Sequence, residues 1–169
     1  MAAAPVPTPI GFGPKYRLPA APPAVERAAR VAGLTCRTPI GRRDLVHVEL
    51  FANKRALLMP AGIGQAPPLT FDGAYVTHSR CSYAIRTTDP TGVVEVSYGL
   101  FETLGDLFTV WGQPLTANRM AGFTGEVKAW VDGVRWRGDV RIIPLARHSE
   151  IVVEVGGYVP PHSSYLFTG

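Results

Sequence analysis

Residue types able to do acid–base or metal chemistry gather around one short stretch, "IRTTDPTGVVEV" at residues 85–96. It carries Arg86, Asp89 and Glu95, and an earlier segment, "LVHVELF", adds His47 and Glu49. An imidazole and carboxylates at one end of a sheet can pass a proton between them. The catalytic set this suggests is His47, Arg86, Asp89 and Glu95. Solvated strand faces account for the carboxylates Glu49, Asp89 and Glu95 equally well, so a second set of chemistry has to be weighed. Joining His47, His78 and Asp89 gives a metal reading, strengthened by His78-x-x-Cys81 at ligand spacing. A Cys81 oxidised to a disulfide offers no thiolate to that set.

Other chemistry finds little support. Ser79, Ser97, Ser163 and Ser164 lie in no G-x-S-x-G context, so a nucleophile elbow is absent. The tripeptide Arg137-Gly138-Asp139 is too short to carry an adhesion reading. A different face is suggested by Lys128, Trp130, Arg135 and Arg137, which alternation puts together on one side of a hairpin. Cations around an exposed aromatic ring suit an anionic or sugar polymer. The opposing reading has the arm or tail packing over Trp130.

These side chains need elements to hold them. "LVHVELFANKRALLMP" reads as a hairpin turning at Asn53-Lys54, with Leu50 opposite Leu57 and His47, Glu49 and Phe51 on the other face. "VVEV" is a strand. "TLGDLFTVWG" is the clearest helix: Thr103 caps it, Asp106 closes a capping box, and Leu104, Leu107, Phe108 and Trp111 form one apolar stripe. Gly112 and Pro114 stop it. "EVKAWVDGVRW" turns on Asp132-Gly133, which pairs Val131 with Val134 and Trp130 with Arg135. That register predicts Trp136 in the core and Trp130 partly exposed. In the last strand, "EIVVEVGG", Ile151, Val153 and Val155 form a core row.

The predicted fold is α+β and mostly β: a mixed, mainly antiparallel sheet with one packed helix, β-grasp-like in layout. Residues 1–35 read as a Pro/Ala-rich arm and a short helix, "AVERAARVAGL", begun after Pro22-Pro23 and stopped by Gly33. Residues 36–169 read as one β-rich domain with a C-terminal tail.

Composition narrows the setting. The 169-residue chain is 46% hydrophobic and 18% charged, which describes an ordered domain able to bury a core. A net charge of +4 without a clustered basic stripe argues against specific nucleic-acid binding. No apolar run approaches the roughly 20 residues of a membrane span. The opening, with seven prolines in its first 23 residues, has no basic-then-apolar signal pattern and suits an extended linker such as follows a cleaved signal. A cytosolic protein with a disordered arm is the alternative reading of this sequence. Cys36 and Cys81, both beside turns, suit one staple, worth on the order of 3–4 kcal/mol by loop closure; two buried free thiols are the other reading.

Several motifs occur here in a fixed order: "MPAGIG", "TDPTGVVEV", "TLGDLFTVWGQPL", "AWVDG", "IVVEVGG" and "PPHSSYLF". Together they resemble an uncharacterised group of small secreted or lipid-anchored bacterial proteins of actinobacterial type, over roughly residues 45–167. The resemblance implies an extracytoplasmic compartment and an architecture rather than an activity. Members of that group carry histidines at two places, an H-x-H pair on the first strand and H-T-H-D followed by a strand histidine. In this chain only His47 and Asp89 match, while Leu45, Arg86, Thr88 and Glu95 replace the rest. A guanidinium repels a cation, so the resemblance implies that a copper, zinc or iron site of that type is lost and that no cofactor is bound there. The expected function is thus a secreted, disulfide-stapled, non-catalytic binding or structural module. A metal-dependent or acid–base enzyme at His47, Arg86, Asp89 and Glu95 is the alternative.

Overall fold

Hydrophobic alternation along the strands and the helix stripe meet in one main core on one face of the sheet, with a smaller cluster of Phe51, Trp130 and Val152 on the other. A computed structural model describes the chain at residues 30, 31, 33–37 and 41–168. Its main sheet has seven strands: β1 (Arg43–Ala52), β2 (Arg55–Leu57), β3 (Ile85–Arg86), β4 (Val93–Ser97), β5 (Val127–Val131), β6 (Val134–Trp136) and β7 (Glu150–Val155). They lie in the order β6-β5-β7-β1-β4-β3, with β2 also paired to β1. β7 runs parallel to β1 at the centre, and every other pairing in this sheet is antiparallel. The sheet is therefore mixed and mainly antiparallel, and helix α1 (Leu104–Trp111) covers one face.

The local signals act as the sequence predicts. The β5–β6 register is Val131 with Val134, Trp130 with Arg135 and Ala129 with Trp136. Asn53 and Lys54 both take positive φ, and Leu50 faces Leu57. Thr103 and Asp106 form the capping box, and Gly112 ends α1 in the left-handed region. Leu104, Leu107, Phe108 and Trp111 are fully buried against Val46, Val48, Val94, Ile151 and Val153. Cys36 and Cys81 are bonded, with Cα atoms 5.5 Å apart. Beside that bond, Arg37 and Ser82 exchange backbone hydrogen bonds of 2.9 and 3.0 Å.

Two expectations need correcting. The short helix at residues 24–34 is not borne out at its C-terminal end, where Arg30–Val31 and Leu34–Thr35 pair as a small antiparallel hairpin around Gly33; residues 24–29 lie outside the described residues. A β-branched Val31 and the positive φ of Gly33 favour that turn over a continued helix. The second correction concerns the tryptophans. Trp130 is only 8% exposed, whereas Trp136 packs half-buried at the core margin and donates to the Asp139 carbonyl. Register assigned the faces correctly, but the C-terminal segment covers the second face and buries Trp130.

That second face decides the site. Strand alternation and register put His47, Glu49 and Phe51 of β1 beside Glu150, Val152 and Glu154 of β7. On a sheet with one bare face these acidic groups would be solvated. Here residues 158–168 lie over them. Val159 packs on Phe51, Trp130 and Val152, Tyr158 sits against Trp130 at 5.9 Å, and Tyr165 stacks on His47.

Candidate metal centre

The site is built from the parallel pairing of β1 and β7. Register opposes Glu150 to His47 and Val152 to Glu49, so His47, Glu49 and Glu150 point into one space. His47 and Glu150 are fully buried and Glu49 is 6% exposed. His47 Nδ1 lies 2.6 Å from Glu150 Oε2 and 3.9 Å from Glu49 Oε1. One donor atom from each of the three residues lies within 4.8 Å of the others. Among the described residues this is the group of three or more such donors close enough to share an ion.

The DPTG turn has a defined task. His47 Nε2 donates to the Thr91 carbonyl at 3.0 Å, which fixes the ring and leaves Nδ1 aimed at Glu150. Asp89 Oδ1 accepts from the Thr91 N–H at 3.0 Å and from the Thr91 hydroxyl, so Asp89 holds the turn. Gly92, at φ +86°, leaves room for this approach: a Cβ there would stand 2.6 Å from the Val48 carbonyl oxygen and 3.1 Å from His47 Nε2. Orientation of a histidine through its second nitrogen by a backbone carbonyl is the usual support of a metal-ligating imidazole.

Protonation in the cluster is constrained. With Nε2–H committed to Thr91, Nδ1 and Glu150 Oε2 at 2.6 Å must share a proton, because two bare lone pairs repel at that distance. Burial pushes the Glu150 carboxyl above its ordinary range, against the hydrogen bond to His47, and the nearby Glu49 charge pushes the same way. Glu150 Oε1 is buried and has no hydrogen-bond partner. Such an orphaned anionic oxygen is costly unless a cation or donor compensates it. The C-terminal segment adds His162, whose Nδ1 sits 2.8 and 2.9 Å from the two Glu49 oxygens. Tyr165 stacks on His47 with ring centroids 3.8 Å apart and planes 12° apart. Burial and then the charges of Asp89 and Glu150 push its phenol up.

The residues singled out from sequence divide among separate places. Of the predicted catalytic and metal sets, only His47 belongs to the centre. Arg86 and Glu95 are opposed across β3 and β4 and pair with each other, Thr88 donates to Glu95 at 3.2 Å, and Arg43 lies 3.8 Å from it. Burial and then repulsion by Arg86 lower Arg43 to about 10, which leaves it charged. This cluster sets two guanidinium groups against one carboxylate, and among the described residues no hydrogen bond or ion pair joins Arg86, Asp89 or Glu95 to the His47 side chain, so His47, Arg86, Asp89 and Glu95 do not form one hydrogen-bonded catalytic set. His78 is exposed on the strand Tyr75–His78 and Cys81 is in the disulfide, so the His47, His78 and Asp89 metal set is not gathered either. Lys128, Arg135 and Arg137 keep exposure, and Arg135 lies over the Trp130 ring at 5.0 Å, but Tyr158 occupies the neighbouring aromatic position.

Sequence reasoning named Glu49 without joining it to a ligand set, and it missed Glu150, His162 and Tyr165 altogether. One signal pointed to the first of these: in "EIVVEV" the core row of Ile151, Val153 and Val155 puts Glu150 and Glu154 together on the opposite face. Comparison with known protein families, curated proteins and solved structures found no match for this chain. Its function has to be read from the geometry.

Proposed function

We propose that this protein is a secreted, disulfide-stapled, non-catalytic module that binds one divalent transition-metal ion through His47, Glu49 and Glu150. The observation that carries the reading is the buried contact of His47 Nδ1 with Glu150, its tautomer set by Thr91, beside a carboxylate oxygen without a partner. Imidazole nitrogen and carboxylate oxygen suit zinc and its first-row neighbours. Donors bound at about 2.0–2.1 Å in a tetrahedron stand about 3.3 Å apart. The pairs here, at 2.6 and 3.9 Å, need shifts of under about 1 Å to reach that spacing. Full burial of His47 and Glu150 supports holding an ion over turning over a substrate, since a catalytic metal keeps a position open to one. The Cys36–Cys81 bond supports an oxidising, extracytoplasmic location. No helix among the described residues is long and apolar enough to cross a membrane.

The test is zinc, manganese and copper binding to the purified chain by equilibrium dialysis, with Glu150→Gln and His47→Ala beside it. One ion per chain is expected, lost in both variants while circular dichroism shows them folded. Wild-type protein that takes up none of the three ions ends this reading.

A further inference from the structure

The three buried donors leave one position of a tetrahedral ion unfilled, and a fourth donor, His162, already touches one of them, Glu49. We propose that His162 is the fourth ligand, and that the C-terminal segment carrying it is a strap whose closure is coupled to ion loading. The inference rests on the metal reading above and adds the residue and the conformational step that complete it.

Two sets of observations converge on the strap. First, access: His47 and Glu150 are fully buried, and what lies against the cluster is Tyr165 on the His47 ring and His162 on Glu49. An ion reaches Nδ1 when these two side chains move aside. Second, attachment: residues 158–168 form no strand or helix, and among the described residues no backbone–backbone hydrogen bond ties them to the sheet. They are held by the Val159 N–H on Glu154 at 3.1 Å, by the aromatic contacts of Tyr158 and Phe167, and by His162 and Tyr165 on the site itself. The strap leaves β7 through Gly156 and Gly157, at φ +73° and +149°. A Cβ on Gly156 would stand 2.2 Å from Asn53 Oδ1, so this corner is reserved for glycine.

Chemistry then favours ligation. His162 Nδ1 lies 2.8 Å from Glu49 Oε1, within about 0.5 Å of the donor spacing in a tetrahedral zinc site. To ligate, the imidazole binds through Nδ1 and keeps its proton on Nε2, a change of tautomer with no gain or loss of electrons. The ion replaces a hydrogen bond by a coordinate bond, so loading tightens the strap. Loss of the ion leaves the His162–Glu49 and Val159–Glu154 hydrogen bonds and side-chain packing to hold it.

The experiment uses the full chain, zinc as probe, and chymotrypsin cleavage at the strap aromatics Tyr158, Tyr165 and Phe167. Zinc should slow that cleavage at least about tenfold in wild type. His162→Gln keeps a hydrogen-bond donor for Glu49 but offers no imidazole. It should weaken zinc by more than the roughly 10–100-fold that a merely supporting partner costs, and it should abolish the protection. His162→Cys, which supplies another zinc ligand, should restore both. Cobalt should give the intense visible absorption of a four-coordinate site in wild type and in His162→Cys, but not in His162→Gln. If zinc binds and Glu150→Gln abolishes binding, yet His162→Gln binds as wild type does, His162 is not a ligand and the inference fails while the metal reading stands. Zinc binding without any change in cleavage overturns it too. A wild type that binds no zinc or cobalt overturns the inference, and one that takes up no manganese or copper either ends the metal reading as well.

Discussion

His47 and Glu150, 103 residues apart in the chain, meet at 2.6 Å because the first and last long strands of the sheet run parallel and in register. The contact is buried on every side, so its energetics are those of an interior ion pair. Desolvation there is severe, and such a pair is weak evidence for stability by itself. Removing one partner is worse, because the other is left uncompensated. Glu150→Leu should therefore cost about 3–5 kcal/mol of unfolding free energy. The double replacement of His47 and Glu150 by leucine should recover much of that loss. Urea unfolding of these variants and of His47→Leu, without added metal, checks this; a double variant whose loss equals the sum of the two single losses would show that the pair is not coupled.

Gly92 should tolerate no side chain. Its left-handed φ opposes Gly92→Ala, and so does the Val48 carbonyl oxygen, which would lie 2.6 Å from the new Cβ. A loss of more than about 1 kcal/mol is expected, and displacement of the His47 ring should weaken zinc in the same variant. Unfolding curves and dialysis together measure the two effects, and a Gly92→Ala protein as stable as wild type would contradict the close approach.

The tryptophans reverse their expected order. Trp130→Ala should cost about 3–5 kcal/mol, as for a buried aromatic, because Phe51, Val152, Val159 and Tyr158 surround it. Trp136→Ala, half-buried, should cost less. Thermal unfolding ranks them. The outcome that contradicts the structure is Trp136 proving the more costly.

Glu154 gives a pH dependence with a fixed sign. Burial raises its carboxyl above the ordinary range, against the Val159 N–H and the charges of Arg135 and Lys128. The folded state then holds the proton more tightly than the unfolded one. Stability from this group is present below the ordinary carboxyl range and is lost as pH rises through the raised folded value. Glu150 shifts the same way. Glu154→Gln should flatten part of the fall in stability between mildly acidic and neutral pH, read from urea midpoints across that range. An unchanged slope would mean that Glu154 does not titrate in that window.

The disulfide should contribute on the order of 3–4 kcal/mol. Native protein should show no titratable thiol, and reductant should lower the unfolding free energy read from urea curves by that amount. Thiols that react in the native state would remove the staple and the compartment inferred from it.

Local chemistry made much of the fold legible. Asn53-Lys54 and Asp132-Gly133 set two hairpin registers through backbone preference, and the Thr103–Asp106 box with a 3.6-residue stripe set the helix. Each of these signals lies within a dozen residues, so no distant contact had to be known. The pairing of Cys36 with Cys81 was legible because among two cysteines there is one bond to make. His47 and the turn at Asp89–Gly92 were visible as well, but their relation was not. Thr91 reaches His47 only once β4 lies beside β1, and Glu150 reaches it only once β7 lies on the other side. The burial of Glu49, Glu150 and Trp130 was beyond sequence reading for a further reason. Alternation assigns a residue to a face of a sheet, but it does not say what lies on that face. Residues 158–168 have no periodicity of their own, and only their packing across the second face turned a solvated row of acids into an enclosed centre.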